Sequence, residues 1–176
     1  KDFVKMRKNT DIFAILEGEQ STLRLVQRIL DSNLDRTKIF QKPIDGCVFI
    51  DPKTKTLPEK DQIFIIGESL TRIKDLDEIP SPYLTGILDK FFDGKLTPFL
   101  ETNRGCPFTC SFCHTGNNYY HKLNKFSAKR VQDEINYIGK KVGLLGISNM
   151  HIADVNFGMY PQDAKVCEWL MDSKKK

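Results

Sequence analysis

Arg104-Gly105-Cys106-Pro107-Phe108-Thr109-Cys110-Ser111-Phe112-Cys113-His114 gathers three cysteines within eight residues, on a stretch whose glycine and proline read as a loop. Thiolates at CxxxCxxC spacing can wrap an iron–sulfur cluster and hold three of its irons, leaving a fourth iron without a protein ligand. An iron with open coordination can bind and polarise a small molecule, whereas a cluster used for electron transfer alone normally has every iron capped by protein. Two other chemistries use such donors. With His114 as fourth ligand the loop would make a structural zinc clip, although zinc sites usually draw their ligands from two separated pairs. Cys110-Ser111-Phe112-Cys113-His114 also fits the CxxCH pattern of haem attachment, which belongs to exported proteins and leaves Cys106 unexplained.

The rest of the chain narrows the setting. It has 176 residues, 27 Lys+Arg against 23 Asp+Glu, a net charge of +4, and 40% hydrophobic and 10% aromatic residues. That balance supports a buried core and argues against disorder. The basic residues are spread among acids, so no nucleic-acid stripe is evident. No apolar run approaches the about 18 residues of a membrane span. The first residues, Lys1-Asp2-Phe3-Val4-Lys5-Met6-Arg7-Lys8, are charged where a secretory signal would be apolar, and there is no starting Met. A cytoplasmic protein whose first residue here is not its original one is the expectation.

Several elements must position the cysteine loop. Asp11 to Leu16 reads as a short buried strand, Glu17-Gly18-Glu19 breaks it, and Ser21 to Leu30 carries Leu23, Val26 and Leu30 at helical spacing. Cys47-Val48-Phe49-Ile50 and Ile63-Phe64-Ile65-Ile66 read as strands flanking a long hairpin-like connection, which makes Cys47 a strand residue. Lys74 to Tyr83, with Pro80 and Pro82, reads as an extended linker. Leu84 to Phe92 then looks like a short helix and Leu96 to Thr102 a strand leading into the loop. Ser127 is a good N-cap for a helix with Ala128, Val131, Ile135 and Ile138 on one stripe. Val142 to Ile147 with His151 to Val155 supply the next strand. Pro161 opens a last helix with Ala164, Cys167 and Met171 on one face. Strand and helix in alternation predict a parallel α/β architecture, and Lys174-Lys175-Lys176 reads as a solvated end.

The cysteine run, with Phe112 as the aromatic of CxxxCx-aromatic-C, resembles the radical S-adenosylmethionine superfamily. Glu17-Gly18-Glu19 before a helix looks like the acidic glycine motif closing the cobalamin-binding-type domain that precedes the barrel in one subgroup. Asp75 to Tyr83 is similar to that subgroup's interdomain linker, and Ile152-Ala153-Asp154-Val155-Asn156-Phe157-Gly158-Met159 to the end of its second barrel strand. The resemblance implies an α/β fold: the tail of a Rossmann-like, cobalamin-binding-type domain over residues 1–73, a linker and short helix over 74–94, and the first two βα units of a partial TIM-type barrel over 95–176. It implies that Cys106, Cys110 and Cys113 bind a 4Fe-4S cluster, that Phe112 lies near the adenine of S-adenosylmethionine, and that Asp154 and Asn156 belong to that pocket. Reductive cleavage of S-adenosylmethionine would give a 5′-deoxyadenosyl radical for C–H abstraction, methyl transfer or rearrangement on a small-molecule substrate, with flavodoxin or ferredoxin as electron donor.

The chain lacks the AspxHisxxGly lower-ligand loop usual in such cobalamin domains, which leaves cobalamin as a further cofactor only by resemblance. A full or three-quarter barrel needs about six to eight strand–helix units, so an internal piece of a longer enzyme, not competent alone, is the expectation. The alternative is a non-catalytic zinc-binding or interaction module. Plain readings stand beside the chemical ones: His121 in a loop, His151 in a strand, Glu17 and Glu19 favouring a helix dipole, Cys167 in the core, Arg104 a solvated cation, Asp154 a turn former, and Tyr119 and Tyr120 either packing or lining a substrate mouth.

Overall fold

A computed structural model describes residues 2–7, 9–147 and 149–174, in two units, Lys1–Arg72 and Ile73–Lys176. Lys175 and Lys176, part of the expected solvated end, lie outside the described residues. Among the described residues no helix is long and apolar enough to cross a membrane.

In the first unit, helix α1 (Asp2–Met6) precedes strand β1 (Ile12–Ala14), helix α2 (Gly18–Asp31), the single turn α3 (Arg36–Ile39), and strands β2 (Cys47–Ile50) and β3 (Phe64–Ile66). The sheet order is β1-β2-β3, with Phe13 opposite Val48 and Phe49 opposite Ile65. Both pairings are antiparallel, so the long connection between β2 and β3 is a hairpin, as its polar stretch predicts, whereas the expected parallel order does not hold in this unit. The core joins Ile39, Ile44, Cys47 and Phe49 to Leu25 and Ile29 of α2.

That choice corrects the helix face. Leu23, Val26 and Leu30 are exposed, whereas Ser21 on another face of α2 is fully buried. Gly46, at φ +73°, sits where a Cβ would come within 2.7 Å of the Ser21 Cβ. Ser21, Leu25 and Ile29 lie one turn apart and follow that contact inward. Glu17, the residue preceding α2, makes no side-chain capping bond. Its carboxylate instead accepts from Arg72 Nε at 3.0 Å in a largely buried ion pair.

The second unit contains β4 (Phe99–Leu100), β5 (Asn103–Arg104), β6 (Asn124–Lys125), α4 (Ala128–Gly143), β7 (His151–Ile152) and α5 (Pro161–Lys174). Ser127 Oγ accepts from Arg130 N at 3.1 Å and caps α4 as its sequence predicts. Val131, Ile135 and Ile138 are buried from that helix, while Ala128 stays exposed. β4 and β7 pair in parallel across α4, with Leu100 opposite Ile152, which is the predicted strand–helix–strand crossover. Leu76, Leu100, Phe126, Val131 and Val166 centre the core.

Four local expectations change. Residues 84–92 form turns ending in a 3-10 turn, Asp89–Phe91, because Gly86 adopts φ +75° and breaks helical continuation. The proline-containing segment before it is not extended throughout, since Leu76–Glu78 form a 3-10 turn and Leu76 is fully buried in this unit's core. Glu134, also buried, accepts from Ser81 Oγ at 2.6 Å and Arg130 Nε at 2.7 Å, which fastens the segment to α4. Val142 and Gly143 end α4 instead of starting a strand, and β7 is confined to His151–Ile152. Finally, α5 turns its Asp163, Val166 and Leu170 face inward and leaves Ala164, Cys167 and Met171 exposed. Asp163 fixes that rotation by accepting from Gly158 N at 2.8 Å and Tyr160 N at 3.0 Å.

Asp77 accepts from Ser127 N at 3.0 Å, and that residue's hydrogen bonds, opposed by partial desolvation, hold its carboxyl below the ordinary 3.8. The Lys141 and Tyr137 contacts do the same for Asp89. A carboxylate depressed by folding contributes stability above its unfolded pKa and loses it as pH falls through the folded value. Melting temperature should therefore drop as pH falls below about 4. The slope should flatten in Asp77→Asn; an unchanged slope would show that this helix-start contact has no linkage to folding.

Candidate metal and cofactor site

β4 delivers the chain to Thr102, and β5 and β6 form a two-residue antiparallel clasp, with Asn103 opposite Lys125 and Arg104 opposite Asn124. The cysteine loop is everything between β5 and β6. Gly105 sits at φ +122°, and a Cβ there would meet Lys122 O at 2.4 Å and Tyr120 O at 2.8 Å. Only glycine fits this approach. Cys106 N then donates to Tyr120 O at 2.8 Å, closing the root of the loop.

The three cysteines differ in setting. Cys106 is buried at 5% exposure, whereas Cys110 and Cys113 are exposed, and all three are free thiols. Cys113 N donates to Cys110 O at 3.1 Å and Gly116 N to Cys113 O at 3.0 Å, so the second and third cysteines share one tight turn. A Cβ on Gly116 would lie 2.3 Å from Cys110 O, which keeps that turn closed only for glycine. The Thr115 hydroxyl, 3.2 Å from Cys113 Sγ, holds this thiol below the ordinary 9.0. By contrast Cys47, fully buried in β2, is pushed up by desolvation and by the Asp45 charge.

Aromatic contacts brace the far side of the loop. Tyr119 and Tyr120 pack edge to face at 5.0 Å, and His114 lies 5.5 Å from Tyr120. His121 sits in the loop within 3.2 Å of Gly116 O, and His151 lies in β7, as their sequence positions predict. Phe112 is 92% exposed and touches the protein little. Arg104 is no solvated cation, because it grips Glu101 at 2.8 and 2.9 Å.

Asp154, just past β7, accepts from Thr102 N at 2.7 Å, Asn103 N at 3.3 Å and Asn103 Nδ2 at 2.7 Å, and also from the Thr102 hydroxyl. Its carboxylate thus clasps the two residues that lead into the cysteine loop, both nearly fully buried. The same region leaves three buried polar atoms without hydrogen-bond partners among the described residues: Asn103 Oδ1, Asn156 Nδ2 and Tyr160 Oη. Burial first, then the charges of Cys106 and Asp163, push the Tyr160 phenol above 10.0, opposed by the Asn156 side chain that stands beside its hydroxyl. Lys125 Nζ stands 4.9 Å from its ring.

Buried polar groups are ordinarily satisfied, so unpartnered atoms in this region are available to a polar ligand. Sulfur donors suit iron–sulfur or zinc, and the two glycine approaches give the loop a fixed backbone for them. Among the described residues no three His, Cys, Asp or Glu side chains yet converge closely enough to hold one metal ion. The donor set and the orphaned polar atoms fit a cluster with a small-molecule ligand. Asn103 and Tyr160 carried no sequence signal beyond being polar residues at a strand end and before a helix-opening proline.

No family model matches the chain. It is 33% identical over 116 residues to the cobalamin-dependent radical SAM methyltransferase TokK of Streptomyces tokunonensis, covering 62% of this chain and 16% of that protein. It is 28% identical over 179 residues to the 2-(S-pantetheinyl)-carbapenam-3-carboxylate methyltransferase of Streptantibioticus cattleyicolor, covering 98% of this chain and 24% of that one. The chain therefore spans a quarter or less of these relatives. Among solved structures, the fold matches the cobalamin-dependent S-adenosylmethionine radical enzyme OxsB, with aqua-cobalamin and S-adenosylmethionine bound, at a TM-score of 0.55 and 19% identity. That match covers 98% of this chain and 22% of OxsB. The chain is thus similar in sequence to part of a cobalamin-dependent radical SAM methyltransferase, and in fold to part of a cobalamin-dependent S-adenosylmethionine radical enzyme.

Proposed function

We propose that the chain supplies the cluster-bearing region of a radical S-adenosylmethionine enzyme. The carrying observation is the CxxxCxxC loop, rooted by Gly105 and placed directly after the first strand of a parallel strand–helix–strand unit. In this reading β4, α4, β7 and α5 are the first two βα units of a TIM-type barrel, and the first unit is the end of a cobalamin-binding-type domain whose last strands pair antiparallel, unlike the parallel sheet of a Rossmann-like fold. Cys106, Cys110 and Cys113 would hold a 4Fe-4S cluster. When bound, that cluster supplies the electron that splits S-adenosylmethionine into methionine and a 5′-deoxyadenosyl radical, from which C–H abstraction, methyl transfer or rearrangement of a small-molecule substrate can follow.

The chain's own residues orient the reactants. Cys106 would supply one ligand from the buried loop root, and Cys110 and Cys113 would supply two more from their exposed turn. Phe112 offers an uncovered aromatic face to the adenine. Asn156 Nδ2 can donate to the carboxylate of S-adenosylmethionine, and Asn103 Oδ1 can accept from its ammonium, which would satisfy both buried atoms. Asp154 acts one step back, by fixing Thr102 and Asn103. Cobalamin as a second cofactor, flavodoxin or ferredoxin as electron donor, and a cytoplasmic location complete the reading.

Anaerobic reconstitution with iron and sulfide, followed by electron paramagnetic resonance of the dithionite-reduced protein, tests it. A reduced 4Fe-4S signal that changes on adding S-adenosylmethionine is expected. Well-folded protein that takes up no cluster and holds zinc tightly would overturn the reading in favour of a structural clip.

A further inference from the structure

β4 is paired on one edge only, since among the described residues its partner strand is β7 alone. His151 N donates to Pro98 O at 2.9 Å and Ala153 N to Leu100 O at 2.8 Å, so the main-chain N–H and C=O of Phe99, between them, face the other edge. An unpaired edge is a template for another strand. Here one hydroxyl takes both outward groups: Tyr83 Oη donates to Phe99 O at 2.7 Å and accepts from Phe99 N at 3.0 Å. Tyr83 is itself held firmly. It is buried, its ring lies 6.1 Å from that of Phe92, and its carbonyl accepts from Gly86 N at 2.9 Å. The next residue, Leu84, donates its N–H to Ser81 Oγ, which is fastened to Glu134.

The ground beside this edge is apolar. Phe91, Leu96 and Phe99 are exposed, and with Tyr83, Leu88 and Phe92 they line a cavity of about 210 Å³. Every copy of the chain carries the same edge, which fits it to pair with itself. With two such edges antiparallel and Phe99 opposite Phe99, each residue would exchange both main-chain bonds with its twin about a two-fold axis. We propose that Tyr83 is a plug that closes the outer edge of β4 to strand addition by a second copy of the chain. Its phenol occupies the two backbone groups on which that pairing would start. The proposal does not rest on the cluster reading.

Sedimentation equilibrium and hydrogen exchange at the Phe99 amide, both on the full chain, test it. Tyr83→Phe keeps the ring and loses only the hydroxyl. At matched high concentration its weight-average mass should be about twice that of the unmodified protein, as a closed two-fold pair requires. In dilute Tyr83→Phe the Phe99 amide should exchange about tenfold faster than in the unmodified protein, the order that one lost hydrogen bond gives, and it should be protected again in the dimer. Equal masses for the two proteins at every concentration would overturn the plug. So would association that leaves the Phe99 amide unprotected, because the apolar patch and not the strand edge would then be the contact. If Tyr83→Phe fails to fold, the unmodified chain decides: a Phe99 amide protected equally in dilute and concentrated protein supports the plug, and one exchanging as fast as a free peptide in dilute protein overturns it.

Discussion

Asp154→Ala is expected to lower the stability of the second unit by about 1–3 kcal/mol, the usual cost of leaving buried hydrogen-bond donors without their acceptor. The residues left behind explain the size. Thr102 and Asn103, 1% and 4% exposed, would lose the carboxylate that accepts both their main-chain N–H groups. Neither donor can reach water in place of it, so each carries its desolvation cost uncompensated. The urea midpoint should fall by roughly 1 M for a protein of ordinary denaturant sensitivity. Asp154→Asn keeps an acceptor oxygen and should lose about half as much. The comparison separates a clasp from a direct cofactor ligand. If Asp154→Ala keeps its midpoint but loses the spectral response to S-adenosylmethionine, Asp154 touches the cofactor itself.

The second large effect concerns the loop root. Cys106→Ser should reduce iron and sulfide retained after anaerobic reconstitution to background and remove the reduced paramagnetic signal, because an alcohol stays protonated where a thiolate ligates. Cys47→Ser and Cys167→Ser provide the contrast. Cys47 is sealed inside the antiparallel sheet with its thiol pushed up, and Cys167 stands exposed on the outer face of α5. Neither belongs to the loop, so iron content should not change in either variant. A Cys106→Ser protein that still assembles the full cluster would remove this residue from the ligand set, and iron lost from Cys167→Ser would add a ligand that the loop spacing does not contain.

The parts of the fold legible in the sequence are those governed by local chemistry. Ser127 before an apolar stripe gives a capped helix with Val131, Ile135 and Ile138 inward, and the apolar runs around residues 47–66 give a hairpin. Helix faces were not legible where packing decides them. α2 has two apolar sets, and a glycine 25 residues later in the chain, Gly46 against Ser21, selects Leu25 and Ile29 over Leu23 and Val26. On α5 the buried acid Asp163 outweighs the apolar periodicity of Ala164, Cys167 and Met171, because two main-chain donors need its carboxylate. The candidate site divides in the same way. Cysteine spacing is written in adjacent residues, but Asp154 looks like a turn former until Thr102 and Asn103 are beside it. Asn103 and Tyr160 are visible only as buried atoms lacking partners.

The clasp between Asp154 and Thr102 joins residues 52 positions apart. During synthesis, the cysteines leave the ribosome long before the carboxylate that steadies the strand leading to them. At about 5–20 residues per second, seconds pass in which the thiols are present but the loop lacks its anchor. The loop consequently gains its anchor only after residue 154 has emerged. A ribosome pause before residue 154 would prolong the interval in which the strand leading to the thiols is unanchored.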